Sequence, residues 1–460
     1  MLLKRHMLFI LVAATLLAAC GRTATVTQID IIPEPVFMVQ KEGNYTLDRS
    51  VAIAVSGLGQ NSPTAKYIMN SLRHAHLRPS LVSLSEESDM ELIVNDTVNP
   101  ELGEEGYLLE VRPTGLRLSA NTETGLFYAY QTFVQMIPAD VLEHTYSSIT
   151  LPVCTILDYP RFPWRGLQLG VDRLVFPIKA VKRCLDLMAN YKMNRLWWTS
   201  DTTALQPYDS TAHLYSDEEV AEVVAYAAAL GIEVVTDSSL QMSTLNYNLS
   251  ANPKEAFEAA RAGMQVVMCP DEYCRLDVYQ ADPRYQPLAT DGLITLSKAY
   301  QFDPAPQGTN KYVAESIVGG QCLLPATVAE GAADAEYMLL PRLLAVGECL
   351  WSPREVKNWS RFRKKVELQK VRLHSKGYNF CEGSFTPLFR ATRVDDATMN
   401  IAIETEVPNT YIFYTTDSTT PTRNSKVYLG PINLRRGTHI KIQPVYKDRE
   451  RDSVYEFVIK

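Results

Sequence analysis

Hydrophobic and polar residues alternate with a period of two over several short stretches in the first third of the chain, a pattern that predicts β-strands. These strands are expected at residues 51–55, 91–94, 107–111 and 115–119. Residues 64–76 and 125–136 instead carry apolar side chains at helical spacing. Strands and helices in this mixture predict a small α+β domain over residues 31–157.

After residue 158 the pattern changes to strands that alternate with amphipathic helices. Strands are predicted at 165–169, 195–198 and 232–235, and helices at 178–191 and 216–230. Strands separated by helices are typical of parallel βα units, so residues 158–378 are expected to form an open doubly wound sheet or a (β/α) barrel. Ser216 and Glu219 have the spacing of a capping box at the start of the second helix.

Two helices and a run of strands complete the chain. Residues 335–350 predict a long helix with a kink at Pro341, and residues 359–374 predict a basic amphipathic helix. From residue 399 onward, short alternating stretches separated by turn residues predict strands. We therefore expect residues 390–460 to form a small β-sandwich.

The N-terminus has the pattern of an export signal. Positive residues precede an apolar stretch over residues 7–19, which is too short to span a bilayer. Small residues then lead to Cys20, an ending that resembles a bacterial lipoprotein box. Residues 1–20 are expected to be a lipoprotein signal peptide with Cys20 lipidated, and residues 21–30 a polar tether. A plain signal peptide with an incidental cysteine is the alternative.

Composition narrows the classes of function. The 460 residues carry a net charge of −7 without a basic run, which argues against a nucleic-acid partner. Seven cysteines besides Cys20 are scattered along the chain and predict neither a disulfide framework nor a zinc site. No metal or other cofactor is expected.

The run from Asp158 to Leu167, which reads DYPRFPWRGL, resembles the entry to the catalytic barrel of glycoside hydrolase family 20, the β-N-acetylhexosaminidases. The similarity continues through residues 186–194, 263–280 and 336–345. Residues 106–133 are similar to the family's N-terminal α+β domain, and residues 414–428 to its C-terminal, chitobiase-type sandwich. The resemblance implies a multidomain α/β protein with a TIM-type (β/α) barrel between two smaller domains.

The resemblance also implies a definite chemistry. In this family the acetamido oxygen of the sugar attacks the anomeric carbon, a Glu protonates the leaving oxygen, and the preceding Asp orients the acetamido group. That Asp-Glu pair belongs at the end of the fourth strand. Here only residues 238–252 lie between the third strand and the helix before the seventh, and one βα unit needs roughly 25 to 30 residues. At most a short sixth strand, residues 245–249, fits in this gap, so the barrel is expected to be truncated.

The resemblance leaves few candidate site residues. Asp271 and Glu272 follow the seventh strand and are weak candidates for a relocated catalytic pair. Arg173 matches the arginine that binds sugar hydroxyls, and Asp277 matches a family Asp, although Arg275 stands where a Tyr is expected. Trp198 is a candidate sugar-stacking residue. Each has a structural alternative: a salt bridge for Arg173, a loop hydrogen bond for Asp277, and core packing for Trp198.

Two functions remain open. The favoured one is a non-catalytic surface lipoprotein that binds an N-acetylhexosamine-containing glycan, or a partner protein at the exposed barrel edge. The alternative is an active β-N-acetylhexosaminidase that uses a relocated acid. An internal deletion or an error in the gene model is a third explanation of the gap. In each case we expect an exported, membrane-anchored lipoprotein in the periplasm or at the cell surface of a Gram-negative bacterium.

Overall fold

A computed structural model describes residues 23–59, 62–83, 86–142, 146–170, 177–198, 215–235, 247–250, 252–283, 286–325, 332–446, 449–450 and 454–460. The signal peptide with Cys20, the first two tether residues and Arg173 lie outside the described residues. The chain divides into two compact units, with the division after Tyr159; Ile32–Glu34 belongs to the second unit.

The first unit contains an eight-stranded mixed sheet and two helices. The sheet has the order β1-β8-β6-β7-β5-β3-β4, and β2 pairs with β8. Its strands are β1 (Thr23–Thr25), β2 (Phe37–Asp48), β3 (Ser50–Ser56), β4 (Arg78–Val82), β5 (Met90–Val94), β6 (Tyr107–Arg112), β7 (Gly115–Ala120) and β8 (Ser148–Asp158). The helices are α1 (Pro63–His74) and α2 (Glu123–Met136), and a 3-10 turn spans Ala139–Leu142. Helix α2 buries a run of aromatic residues, including Phe127, Tyr128 and Phe133, and forms much of the core.

The second unit begins with a six-stranded sheet in which every pairing is parallel. Its strands are β9 (Trp164–Leu169), β10 (Arg195–Trp198), β11 (Glu233–Val235), β12 (Tyr247–Ser250), β13 (Gln265–Met268) and β16 (Ile317–Leu324), in the order β11-β10-β9-β16-β13-β12. A small pair, β14 (Val278–Tyr279) and β15 (Thr290–Leu293), lies between β13 and β16 in the chain. Gly319 is needed where β16 meets β9, because a Cβ there would lie 1.9 Å from the carbonyl oxygen of Trp164.

Helices connect these strands, as the alternating pattern predicts. They are α3 (Ile178–Asn190), α4 (Asp217–Ala229), α5 (Pro253–Arg261), α6 (Asp271–Cys274), α7 (Leu296–Tyr300), α8 (Lys311–Ser316), α9 (Ala332–Leu339), α10 (Arg342–Trp351) and α11 (Trp359–Ser375), with a 3-10 turn at Arg354–Val356. The capping box of α4 is confirmed. Ser216 Oγ accepts a hydrogen bond from the Glu219 N–H at 3.2 Å, and the Glu219 carboxylate accepts one from the Ser216 N–H at 2.9 Å.

The prediction of a single kinked helix over residues 335–350 is wrong in one respect. The chain forms two helices, α9 and α10, that are separated at Leu340 and Pro341. Proline has no N–H to donate, and its ring collides with the preceding helical turn. The Leu340 carbonyl instead accepts a hydrogen bond from the Cys381 N–H at 3.1 Å. The proline therefore ends a helix here and does not merely bend one.

The C-terminal strands form two antiparallel sheets. One has the order β17-β18-β21, and the other β20-β19-β22-β23 with β24 beside β22. The strands are β17 (Leu388–Arg393), β18 (Thr398–Glu404), β19 (Tyr411–Thr415), β20 (Lys426–Val427), β21 (Ile432–Arg435), β22 (His439–Tyr446), β23 (Arg449–Glu450) and β24 (Tyr455–Val458). Ile401 and Ile403 pack against Ile412, Ile440 and Ile442 in their core.

These sheets belong to the same compact unit as the parallel sheet. The carboxylate of Glu406 gives a physical reason. It is buried and accepts hydrogen bonds from the N–H groups of Leu296 and Ser297 at the start of α7, at 3.3 and 2.7 Å, and from the Ser384 N–H at 3.0 Å. A buried carboxylate with three donors joins the two parts firmly.

Candidate functional site

The two faces of the parallel sheet have different surroundings. Arg165 on β9 points to the helices, where its guanidinium lies over the Trp351 ring of α10 with a centroid distance of 5.0 Å. Because side chains alternate along a strand, Trp164 and Gln168 lie on the opposite face. We call that opposite face the inner face. Trp164 packs there against Val235 and Val267.

The register between β9 and β10 assigns the two adjacent tryptophans to different faces. Trp197 is opposite Gln168 and is partly exposed on the inner face, where it packs against the Trp164 cluster. Trp198 is opposite Leu169 on the helix-facing side and is fully buried, with its ring 4.5 Å from that of Tyr215. A fully buried ring cannot stack on a sugar. The position of Trp198 therefore suits core packing, and Trp197 is the aromatic residue on the inner face.

Two glutamines on the inner face have no role in the sequence-based predictions. Gln321 on β16 accepts a hydrogen bond from Trp164 Nε1 at 3.3 Å and donates one from Nε2 to Gln168 Oε1 at 3.2 Å. The Nε2 group of Gln168 donates no hydrogen bond within the described ranges. In the sequence these positions could have been found as a single glutamine within each of two predominantly apolar strands.

Asp271 and Glu272 open the short helix α6 at the carboxyl end of β13, which is the edge predicted for them. Both side chains are exposed to solvent. Glu272 accepts a hydrogen bond from Lys298 Nζ at 3.1 Å, and this ammonium group also lies 4.1 Å from the centroid of the Tyr273 ring. The general acid of a glycosidase is normally shielded from water by apolar neighbours. Neither carboxyl group has that shielding.

Asp277 is engaged in an internal ion pair. Arg275 donates to its two carboxylate oxygens at 2.8 and 3.2 Å, and the Thr290 hydroxyl donates to Oδ2 at 2.7 Å. Burial raises the pKa of Asp277, but the hydrogen bonds from Arg275 and Thr290 outweigh it and hold the pKa below its usual range. The carboxylate is fully buried and both oxygens are occupied. This geometry suits the structural alternative for Asp277, in which it orders the loop after β13.

Arg342 also holds the loop that follows β13. Its guanidinium is fully buried and donates to four backbone carbonyls, those of Leu276, Val278, Ile294 and Met338, at 2.7 to 3.1 Å. Burial lowers the pKa of Arg342 to about 10, so the group stays charged at neutral pH. The loop that follows β13 is therefore held by a buried cation as well as by the Arg275–Asp277 pair.

Within the described ranges, no group of His, Cys, Asp and Glu side chains is arranged to hold a metal ion. Across the same residues, no helix combines the length and apolar character needed to cross a membrane.

Family models match most of the chain. Residues 28–159 match "Glycosyl hydrolase family 20, domain 2", and residues 162–206 and 241–354 match "Glycosyl hydrolase family 20, catalytic domain". Residues 401–458 match "Fn3 associated", where a chitobiase-type C-terminal domain was predicted.

The similar curated proteins are β-hexosaminidases. That of Porphyromonas gingivalis is 23% identical over 590 aligned residues, covering 93% of this chain and 75% of the relative. "Beta-hexosaminidase subunit A2" of Dictyostelium discoideum is 31% identical over 159 residues, and the β-hexosaminidase of Vibrio furnissii 26% over 239. The matched stretches span only 29% and 37% of the length of those two proteins.

Solved structures of β-N-acetylhexosaminidases have a fold similar to that of this chain. The N-acetyl-β-hexosaminidase of Streptomyces plicatus superposes with a TM-score of 0.68 at 20% identity, covering 78% of this chain and 97% of that one. An exo-β-N-acetylglucosaminidase of Vibrio harveyi gives a TM-score of 0.65 at 17% identity, covering 78% and 79%. At such identities the likeness establishes the fold alone.

Proposed function

Since the chain belongs to glycoside hydrolase family 20, we propose that it binds an N-acetylhexosamine-containing glycan without hydrolysing it. The observation that carries this proposal is the short connection between β11 and β12. Only residues 236–246 separate these strands, and one βα unit needs roughly 25 to 30 residues. A complete additional βα unit, whose strand would present the family's Asp-Glu pair, is longer than this connection of eleven residues.

The length of the chain supports a shortened barrel. The alignment with the Porphyromonas relative extends over 590 positions but includes only 93% of the 460 residues of this chain, or about 428, so about 160 positions of the relative have no counterpart here. A barrel with fewer strands needs a different tilt and shear from an eight-stranded one. The catalytic geometry of the family would therefore not survive such a loss, even where individual strands do.

The surviving acidic groups support the same proposal. Asp271 and Glu272 are exposed, and Glu272 is paired with Lys298. Asp277 is buried and ion-paired with Arg275. Protonation of a leaving group requires a carboxyl group that is protonated near neutral pH and faces the substrate. None of these three has such surroundings.

Binding is assigned to the inner face at the carboxyl ends of the parallel strands. Trp197 offers a partly exposed aromatic ring, and Gln168 offers an amide donor on the neighbouring strand in the same register. Aromatic faces suit the apolar faces of pyranose rings, and amides suit sugar hydroxyl groups. A second candidate ligand is a partner protein that adds a strand to β11 or β12, which are the outermost strands of this sheet among the described residues.

The active enzyme is the alternative, because the curated relatives are named β-hexosaminidases. Hydrolysis of p-nitrophenyl N-acetyl-β-glucosaminide and the matching galactosaminide by the purified protein separates the two. We expect no release of nitrophenol above a heat-inactivated control, together with measurable binding of chitotriose by calorimetry. Release that is abolished by Asp271→Asn or Glu272→Gln would overturn the proposal and identify the acid.

Resequencing the locus would reveal an error in the gene model, which is the third explanation of the short connection.

We also propose where the protein is located in the cell. The leader and Cys20 support an exported, membrane-anchored lipoprotein. Expression in a bacterium followed by mass spectrometry of the N-terminal peptide is expected to find acyl chains on Cys20. The Cys20→Ser variant is expected to lose them and to leave the membrane fraction. A Cys20→Ser variant that stays in the membrane fraction would contradict the anchor.

A further inference from the structure

A groove of about 520 Å³ lies between the helical layer of the second unit and the C-terminal sheets. We call it the helix–sandwich groove. One wall is formed by α7 and by the first turn of α11, and the other by strands β17 and β18 together with Tyr428. This volume is in the range of small-molecule sites. None of its lining residues belongs to the parallel sheet.

Aromatic side chains line both walls of the groove. Trp359 is partly exposed at the start of α11, with its ring 5.6 Å from that of Tyr300. Across the groove, Tyr428 is partly exposed and packs against the core of the C-terminal sheets. Phe389 also belongs to the lining, but its ring faces that core, where it lies 4.0 Å from the ring of Phe457. Rings that are held in place by other rings lose little freedom when a ligand stacks on them. Such walls suit the flat apolar faces of sugar rings.

Polar groups in the groove have unused hydrogen-bonding capacity. The Tyr428 hydroxyl accepts a hydrogen bond from the Ile403 N–H at 2.9 Å, and its own proton is left to donate. The side chains of Gln301 and Ser360 make no hydrogen bonds within the described part of the chain. A few convergent polar groups between aromatic walls are typical of sites that fix the orientation of a ligand.

The register of β17 and β18 brings two charged residues to the groove. Leu388 is opposite Glu404, and Arg390 is opposite Ala402, whose small side chain leaves space beside the arginine. Glu404 is neutralised by Arg363 at 3.3 Å. Arg390 is exposed and has no ion-pair partner among the residues that the structure describes. The groove therefore presents one uncompensated positive charge.

We propose that the helix–sandwich groove binds an acidic oligosaccharide, with sugar rings stacked between Trp359 and Tyr428 and an acidic group on Arg390. The inference rests on the proposed function in one respect, namely that the ligand of this chain is a glycan. The groove is then a second glycan site, outside the parallel sheet, and its ligand is a negatively charged sugar. Arginine binds carboxylate and sulfate groups through paired hydrogen bonds, so either acid suits this position.

The test is calorimetric titration of the full protein with a chondroitin sulfate hexasaccharide and with neutral chitohexaose. We expect the acidic sugar to bind more tightly and to weaken as salt is raised. Arg390→Gln should reduce its affinity about fivefold, and Trp359→Ala by a similar factor. Arg435→Gln removes the same charge from exposed strand β21 of the same sheet, outside the groove lining, and is expected to change nothing.

A variant on the inner face distinguishes the two sites. Gln168→Ala should weaken the binding of neutral chitohexaose at the inner face, while the salt-sensitive binding of the acidic sugar still depends on Arg390 and Trp359. A loss of affinity in Gln168→Ala with none in Arg390→Gln or Trp359→Ala would overturn the groove and leave the proposed function standing. Absence of binding by either sugar would overturn both. Equal affinity for the two sugars, insensitive to Arg390→Gln, would refute the assignment of an acidic ligand.

Discussion

Raising the pH from about 5 to about 8 is expected to destabilise the second unit through Glu348. This side chain is buried at the end of α10, where it accepts hydrogen bonds from the Tyr300 hydroxyl at 2.8 Å and from the Glu34 N–H at 3.1 Å. Burial raises its pKa from 4.5 to about 7, although Lys365 and the Tyr300 hydrogen bond oppose the increase.

Stability falls as the pH rises because the folded protein holds the proton of Glu348 more tightly than the unfolded chain does. The folded protein binds the proton of Glu348 up to about pH 7, whereas the unfolded chain releases it near pH 4.5. Its contribution is therefore fully present below pH 4.5 and is lost as the pH rises toward 7. Each pKa unit corresponds to about 1.4 kcal/mol, so the free energy of unfolding should fall by up to about 3 kcal/mol over this range.

Urea unfolding followed by circular dichroism at a series of pH values measures this loss. Glutamine resembles a protonated carboxyl group, so Glu348→Gln should remove most of the decrease between pH 5 and pH 7. Glu355→Gln changes an exposed carboxyl nearby and is expected to keep the parent slope. If Glu348→Gln loses stability with pH as steeply as the parent, titration of Glu348 is not the cause of the decrease.

Two further predictions concern residues that fix local structure. Arg342→Met should lower the free energy of unfolding by at least about 3 kcal/mol, because four buried carbonyls lose their donor; an unchanged urea midpoint would contradict the role of this cation. Ser216→Ala should cost about 1 kcal/mol through loss of the capping box, measured as faster amide exchange at the start of α4. Exchange that stays at the parent rate there would show that the cap adds nothing.

The local elements and the family could be predicted from the amino-acid sequence alone. Local sequence patterns involve residues that lie within one or two helical turns of one another. They were therefore enough to predict the capping box of Ser216 and Glu219 and the strands before and after it. The run from Asp158 to Leu167 was enough to indicate the family that the comparisons establish. The short gap between β11 and β12 could also be counted from the sequence alone.

The contacts of each candidate side chain depend on the tertiary structure. Alternation along β10 requires the two tryptophans to face opposite sides, but the register with β9 was needed to show that Trp198 faces the helices. The burial of Glu348 depends on Glu34, which is more than 300 positions away, and the groove joins α7 to strands about 100 positions later. Contacts over such separations are set by packing, which no local pattern encodes, and they determine which polar groups stay free to bind a ligand.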